Sequence, residues 1–126
     1  MKMLKNIAFV MTLASASPAF AQAAPTPDRF ETLLRSIDVV PPDRVALEAA
    51  FPDAWTRLDA VARDAKRDQW SRLRAVSLLS YFPEARTRTT LEVVASDADK
   101  EVRRQAIYTL GRGFGASAAK VVANGI

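Results

Sequence analysis

The fold is decided by a stretch that occurs twice, as LDAVARD at residues 58–64 and as LEVVASD at residues 91–97. A second matching pair follows after a polar turn, RLRAVSLL at residues 72–79 and RRQAIYTL at residues 103–110. The first pair is offset by 33 residues and the second by 31, so the two turns differ in length by two residues. Each unit therefore contains Leu-x-x-Val-Ala-x-Asp, a turn, and Arg-x-x-Ala-x-x-x-Leu. Self-similarity at this period predicts an array of helical repeats.

Both units resemble the HEAT family, in the short variety called HEAT-like repeats. The second unit, residues 97–111, follows the family pattern closely. The first unit departs from that pattern at three positions, which hold Lys66, Ser71 and Ser80. The resemblance covers about residues 53–115. It implies an all-α fold, namely a short right-handed α-solenoid of antiparallel helix pairs.

The repeated positions have structural interpretations. They are Asp64, Asp97, Asp99, Ala75, Ala106, Leu79 and Leu110. Asp97 or Asp99 can accept hydrogen bonds from free N–H groups at the start of the second helix, and the alanines are small where paired helices approach closely. Arg72 and Arg103 lie in first helical turns, where a cation gains nothing from the helix dipole. The resemblance implies that these arginines reach acidic groups in turns of the same or the adjacent repeat.

The rest of the chain after residue 26 also has a helical pattern, because strand signals are nearly absent and prolines stand where helices would start. The predicted helices cover about residues 27–38, 43–51, 52–65, 69–82, 83–96 and 99–110, with a short last helix over 116–123. Thr26 is expected to cap the first helix, and three glycines to end the sixth, Gly111, Gly113 and Gly115. Apolar spacing places four further side chains on buried sides, Ile37, Val45, Trp55 and Trp70.

Two larger units follow from this helix pattern. Residues 27–51 are interpreted as a degenerate helix pair that caps the array at its N-terminal end. Residues 52–126 then hold the two repeats and the C-terminal helix. Repeats of this kind need about three units to bury a continuous core, which the additional helix pair would supply.

Residues 1–21 have the three parts of a secretory signal. A positively charged start and the short apolar segment IAFVMTLA precede an A-x-A cleavage site at residues 19–21. We expect cleavage before Gln22, or alternatively after Ala23, with residues 22–26 as a linker. The apolar run of about ten residues is half of the roughly 20 needed to span a bilayer. The mature protein is therefore expected to be free in the periplasm or secreted.

Composition excludes several classes of function. The chain of 126 residues has no His and no Cys, which excludes a Ser-His-Asp triad, a Cys nucleophile and an imidazole or thiolate zinc site. The acidic turns lack EF-hand spacing, so capping is favoured over calcium binding. Loss of Lys2 and Lys5 with the signal lowers the formal charge from +4 to +2, an excess too small to indicate nucleic-acid binding. No cofactor is expected.

The resemblance implies binding of a protein partner, as an adaptor or scaffold, and no enzymatic activity. Aromatic and arginine side chains dominate binding hot spots, and the candidate surface residues are Tyr81, Phe82, Tyr108, Arg72, Arg74, Arg103 and Arg104. An alternative partner is an anionic lipid or envelope polymer, bound by the arginine-rich residues 57–74. HEAT-like enzymes are a second alternative. The iron-dependent hydroxylases among them use His-Glu motifs that a chain without His cannot supply, and no motif specific to bilin lyases is present.

Overall fold

The structure is a computed structural model that describes residues 28–37 and 40–115. Within those ranges the chain forms six α-helices and no strand, which confirms the prediction of an all-helical fold. The helices are α1 (Arg29–Arg35), α2 (Arg44–Ala50), α3 (Ala54–Arg63), α4 (Gln69–Leu78), α5 (Ala85–Val94) and α6 (Lys100–Phe114), and a 3-10 turn (Leu79–Tyr81) follows α4. The signal, the cap at Thr26 and the predicted helix over 116–123 lie outside the described residues.

Aspartate side chains cap the starts of four of the six helices. Asp28, Asp43, Asp68 and Asp99 each accept a hydrogen bond of 2.9 Å from a backbone N–H in the first turn of their helix. Such a cap contributes about 1 kcal/mol, because it satisfies an N–H group that has no partner within the helix. The prediction that Asp97 or Asp99 caps the last repeat helix is confirmed for Asp99.

Several helices are shorter than the sequence pattern predicts. α1 ends at Arg35 instead of residue 38, since the backbone becomes extended at Ser36 (φ −69°, ψ 140°). α3 and α5 begin two residues after Pro52 and Pro83 rather than at these prolines. Glu84 explains the later start of α5, because its extended backbone (φ −126°, ψ 162°) occupies the cap position.

The prediction that three glycines end the sixth helix is wrong for two of them. α6 continues through Gly111 and Gly113 to Phe114, and only Gly115 leaves the helix, with a positive φ of 52°. A glycine inside a helix costs about 1 kcal/mol relative to alanine but does not stop the helix. Leu110 and Phe114 both pack against the core and hold this last turn in place.

The helices pack in two rows. α3 packs against α4 and α5 packs against α6, so consecutive helices form pairs. α3 also packs against α5, and α4 packs against both α1 and α6. One row therefore contains α3 and α5, and the other contains α1, α4 and α6. α1 has only slight contact with α2.

One cluster of buried apolar side chains joins all six helices. Four repeated positions are fully buried in it, Ala75, Ala106, Leu79 and Leu110. Three of the side chains expected to be buried are exposed instead, Ile37 (79%), Val45 (77%) and Trp70 (52%). Ile37 lies beyond the end of α1, whereas the other two lie in the first turns of α2 and α4, on sides of these helices that face away from the core.

A matched pair of substitutions on α5 tests this core. Leu91 is fully buried, whereas Val93, two positions further on, is half exposed. We expect Leu91→Ala to lower the free energy of unfolding by about 2–5 kcal/mol, because it removes apolar contacts and leaves a cavity. Val93→Ala should change it by less than about 0.5 kcal/mol. Urea denaturation followed by circular dichroism measures both, and equal effects would contradict the assigned core.

Candidate functional site

A buried arginine links the two repeat units. Arg72, in the first part of α4, is only 3% exposed. Its guanidinium donates to the backbone oxygen of Ala62 at 2.9 and 3.3 Å and to both carboxylate oxygens of Asp97 at 2.6 and 3.1 Å. Ala62 belongs to the same unit, whereas Asp97 lies in the turn between α5 and α6. Arg72 therefore bonds its own unit to the next one.

The carboxylate of Asp97 is held in its charged form. Besides Arg72, it accepts a hydrogen bond from the Asp99 N–H at 2.9 Å. The hydrogen bonds from Arg72 lower the pKa of the Asp97 carboxyl below its ordinary 3.8, and they outweigh the opposing effect of partial burial. Arg103 donates to the backbone oxygen of Asp97 at 2.8 Å. Arg103 thus binds the turn of its own unit through a backbone oxygen, and not through the acidic group that the resemblance implied.

The equivalent carboxylate of the first unit has a different environment. Asp64 is exposed and accepts from the Lys66 N–H at 2.9 Å. In residues 28–37 and 40–115 no arginine lies within salt-bridge distance of it. Among the described residues, a salt bridge between an arginine of one unit and a turn aspartate of the other is therefore made once, by Arg72 and Asp97.

Two of the predicted surface residues are buried, and that part of the prediction is wrong. Phe82 is fully buried, with the Arg44 guanidinium 4.7 Å from its ring centre, and Arg72 is enclosed between the units. Phe82 follows a 3-10 turn, in which three residues rather than 3.6 complete each turn. The directions of the side chains after α4 therefore differ from those in a continuous α-helix.

Tyr81 and Arg74 are half-buried and support the segment after α1. The Tyr81 hydroxyl donates to the backbone oxygen of Pro41 at 2.6 Å, and Arg74 donates to that of Ser36. These bonds satisfy two backbone carbonyl oxygens that have no hydrogen-bond partner within a helix. Both side chains consequently have a structural role at the N-terminal end of the row that contains α1 and α4.

The exposed members of the predicted surface are Tyr108 and Arg104, and both lie on α6. Tyr108 stands between two depressions that cross from α4 to α6. One has a volume of about 260 Å³ and is lined by Ser77, Ser80, Gln105, Tyr108, Thr109, Arg112 and Gly113. The other has a volume of about 360 Å³ and is lined by Leu73, Glu101, Arg104, Gln105 and Tyr108. We call the surface formed by these two depressions the α4–α6 face.

Trp70 adjoins this face. It precedes Leu73 by three positions on α4, which places both side chains on the same side of the helix. The repeat itself contains a signal for this exposure, because Trp70 aligns with Glu101, a residue type that is seldom buried. Trp55 differs, since it is half-buried and its indole N–H donates to the Thr87 hydroxyl at 2.9 Å.

Positive charge on the α4–α6 face has few acidic partners. Arg104 approaches Glu101 only at 3.5 Å, with both side chains about half exposed or more. Arg112 donates to the Tyr108 hydroxyl at 3.2 Å, and among the described residues no carboxylate lies within 4 Å of its guanidinium. In the other row the exposed Arg63 and Arg86 each have a carboxylate closer, at 2.8 and 2.7 Å.

The acidic side chains serve helix starts and ion pairs. Among residues 28–37 and 40–115, no three of the residue types His, Cys, Asp and Glu are grouped so that they could hold a metal ion. In the same ranges no helix is both long enough and apolar enough to cross a membrane.

Loss of the carboxylate at the link between units has a predictable cost. We expect Asp97→Ala to lower the free energy of unfolding by about 3–5 kcal/mol, because it leaves the Arg72 guanidinium buried without a counter-charge. Glu101→Ala, which removes an exposed partner, should cost less than about 1 kcal/mol. Urea denaturation of both variants distinguishes the two. A similar small cost for each would show that Arg72 is not dependent on Asp97.

The pH dependence follows from the lowered pKa of Asp97. Its folded-state pKa lies below the unfolded value, so its contribution to stability is present above pH 3.8 and is lost as the pH falls through the folded-state pKa. We expect the urea midpoint to fall between pH 6 and pH 3. The fall should be smaller in Asp97→Asn, because the remaining fall comes from other carboxyls with lowered pKa, among them Glu31 and Glu84. Equal falls in the two proteins would exclude this role.

Comparison of the chain with protein-family models, with curated proteins and with solved structures found no match.

Proposed function

We propose that this chain is a short, exported HEAT-like repeat protein that binds a protein partner through the α4–α6 face and acts as an adaptor or scaffold in the periplasm or cell envelope. The composition of that face is the observation that carries the proposal. Tyr108 is 57% exposed beside two depressions and stands between Arg104 and Arg112. Tyrosine, tryptophan and arginine are the residues that most often dominate protein interfaces.

The packing of the helices supports the solenoid part of the proposal. In a helical array each unit contacts its neighbours, with first helices stacked on first helices and second on second. α3 packs against α5, and α4 packs against α6, in that manner. The bond from Arg72 to Asp97 crosses between the same two units. Right-handed stacking of these pairs remains part of the proposal.

The alternative of an anionic surface bound by residues 57–74 has less support. The basic side chains of that stretch are Arg57, Arg63, Lys66, Arg67, Arg72 and Arg74. Four of them form salt bridges with carboxylates at 2.6–2.8 Å, namely Arg57, Arg63, Arg67 and Arg72. Their charge is therefore largely compensated within the chain, which leaves little excess for a distant anionic surface.

Site-specific photo-crosslinking in the producing cells tests the proposal. We expect a photoreactive residue at position 108 to give a discrete adduct with one protein at physiological salt. The same residue at position 93 is the matched control, because Val93 is also half exposed but lies on α5 in the other row.

Two results would contradict the proposal. One is an adduct pattern identical at positions 108 and 93, because binding would then not depend on the α4–α6 face. The other is recovery of the protein only in a salt-sensitive membrane or polymer fraction, which would favour the anionic-surface alternative.

A further inference from the structure

We propose that the α4–α6 face binds an extended peptide segment that carries two acidic side chains four positions apart, one facing Arg104 and the other facing Arg112. This inference rests on the proposed function and specifies the chemistry of the partner. Three observations carry it, namely the spacing of the arginines, their weak pairing with carboxylates of the chain, and the polar groups between them.

The spacing comes from the geometry of α6. Arg104, Tyr108 and Arg112 are separated by four positions each and therefore form one stripe along the helix. A rise of 1.5 Å per residue places the first and last of these Cα atoms about 12 Å apart. An extended peptide advances about 3.3 Å per residue, so residues four positions apart are about 13 Å apart and point to the same side. Acidic side chains at that spacing match the two arginines.

The charge on the stripe is available to a partner. The contact of Arg104 with Glu101 is long and exposed, and such pairs contribute at most about 1 kcal/mol. Arg112 bonds to a neutral phenol, and its guanidinium lies 5.8 Å from the Tyr108 ring centre. A peptide carboxylate can therefore bind either guanidinium without breaking a strong ion pair, in contrast to Arg63 or Arg86 in the other row.

The depressions on both sides of Tyr108 suit a peptide backbone. The hydroxyls of Ser77, Ser80 and Thr109 and the amide of Gln105 line the larger part of one depression. The Ser77 hydroxyl and the Gln105 amide can bond the N–H and C=O groups of a peptide backbone. The Ser80 hydroxyl donates to the Ser77 backbone oxygen and the buried Thr109 hydroxyl donates to that of Gln105, so Ser80 offers the peptide only an acceptor oxygen. Tyr108 offers an aromatic surface between them. Gly113 adds no side chain that would narrow this end of the groove.

Fluorescence anisotropy with the full chain and short labelled peptides tests the proposal. The probe is an otherwise neutral peptide with two glutamates four positions apart. One control has glutamine at both positions, and a second has the same composition with the glutamates adjacent. We expect the first peptide to bind at least about tenfold more tightly than either control at about 0.15 M salt, because hydrogen bonds to charged groups stabilise more than neutral ones.

Variants of the protein identify the site. Arg104→Gln and Arg112→Gln should each weaken binding of the diglutamate peptide several-fold, whereas Arg86→Gln, the same charge change on α5, should leave it unchanged. The double variant Arg104→Glu, Arg112→Glu should instead prefer the same peptide with lysines in place of the glutamates. We expect every variant to fold, because all these side chains are partly or fully exposed. Circular dichroism of each variant checks this.

The outcomes separate this inference from the proposed function. Equal binding of the diglutamate and diglutamine peptides would overturn the acidic-peptide inference, and crosslinking at position 108 would then show whether the face still binds a protein. Binding to phosphatidylglycerol vesicles that depends on Arg104 and Arg112, without peptide binding, would overturn both in favour of a lipid surface.

Discussion

The guanidinium of Arg72 is the group on which the relation between the two units depends. It lies at the centre of the contact between α3, α4 and the turn before α6, and it bonds a backbone carbonyl and a carboxylate at the same time. Arginine suits this position because its five N–H donors are fixed in one plane and can serve two acceptors together. A lysine, with its single ammonium group, could not present the same fork to both Ala62 and Asp97.

A buried ion pair adds little net stability to the contact between two packed units, since removing both charges from water costs several kcal/mol. Apolar side chains such as Val76 and Leu79 already belong to the one buried core that both units share. We infer that the pair of Arg72 and Asp97 mainly fixes which turn lies beside which helix, because a shifted arrangement would leave a buried charge without a partner. The Asp97 carboxylate also accepts a hydrogen bond from the Asp99 N–H, and the Asp99 carboxylate in turn caps the start of α6.

The residue pattern predicted the helices and a cap at Asp97 or Asp99, since these depend on local chemistry. The contact of Arg72 with an acidic group in a turn was implied only by the resemblance to HEAT-like repeats. The exposure of individual side chains was harder to predict from the sequence. Trp70 and Val45 fit an apolar stripe by spacing, but helical periodicity does not show which side of the first turn of a helix faces the core. The prediction that Phe82 is exposed is wrong for a related reason, because the 3-10 turn that changes the direction of its side chain has no distinctive sequence signal. The charge balance of the α4–α6 face depends on distances between helices, which a pattern along the chain does not contain.

The second helices of the two units, α4 and α6, have matching residues on the side that faces the core and different residues on the opposite side. The inward positions repeat, with Arg72 matching Arg103, and buried alanines and leucines matching one another at the same offset. The outward positions do not, since Ser77 aligns with Tyr108 and Leu73 aligns with Arg104. Packing accounts for the shared residues, because each unit must bury the same kind of surface. It does not account for an exposed tyrosine between two arginines on only one of the helices, and this difference is part of the basis on which we propose that the α4–α6 face binds a partner.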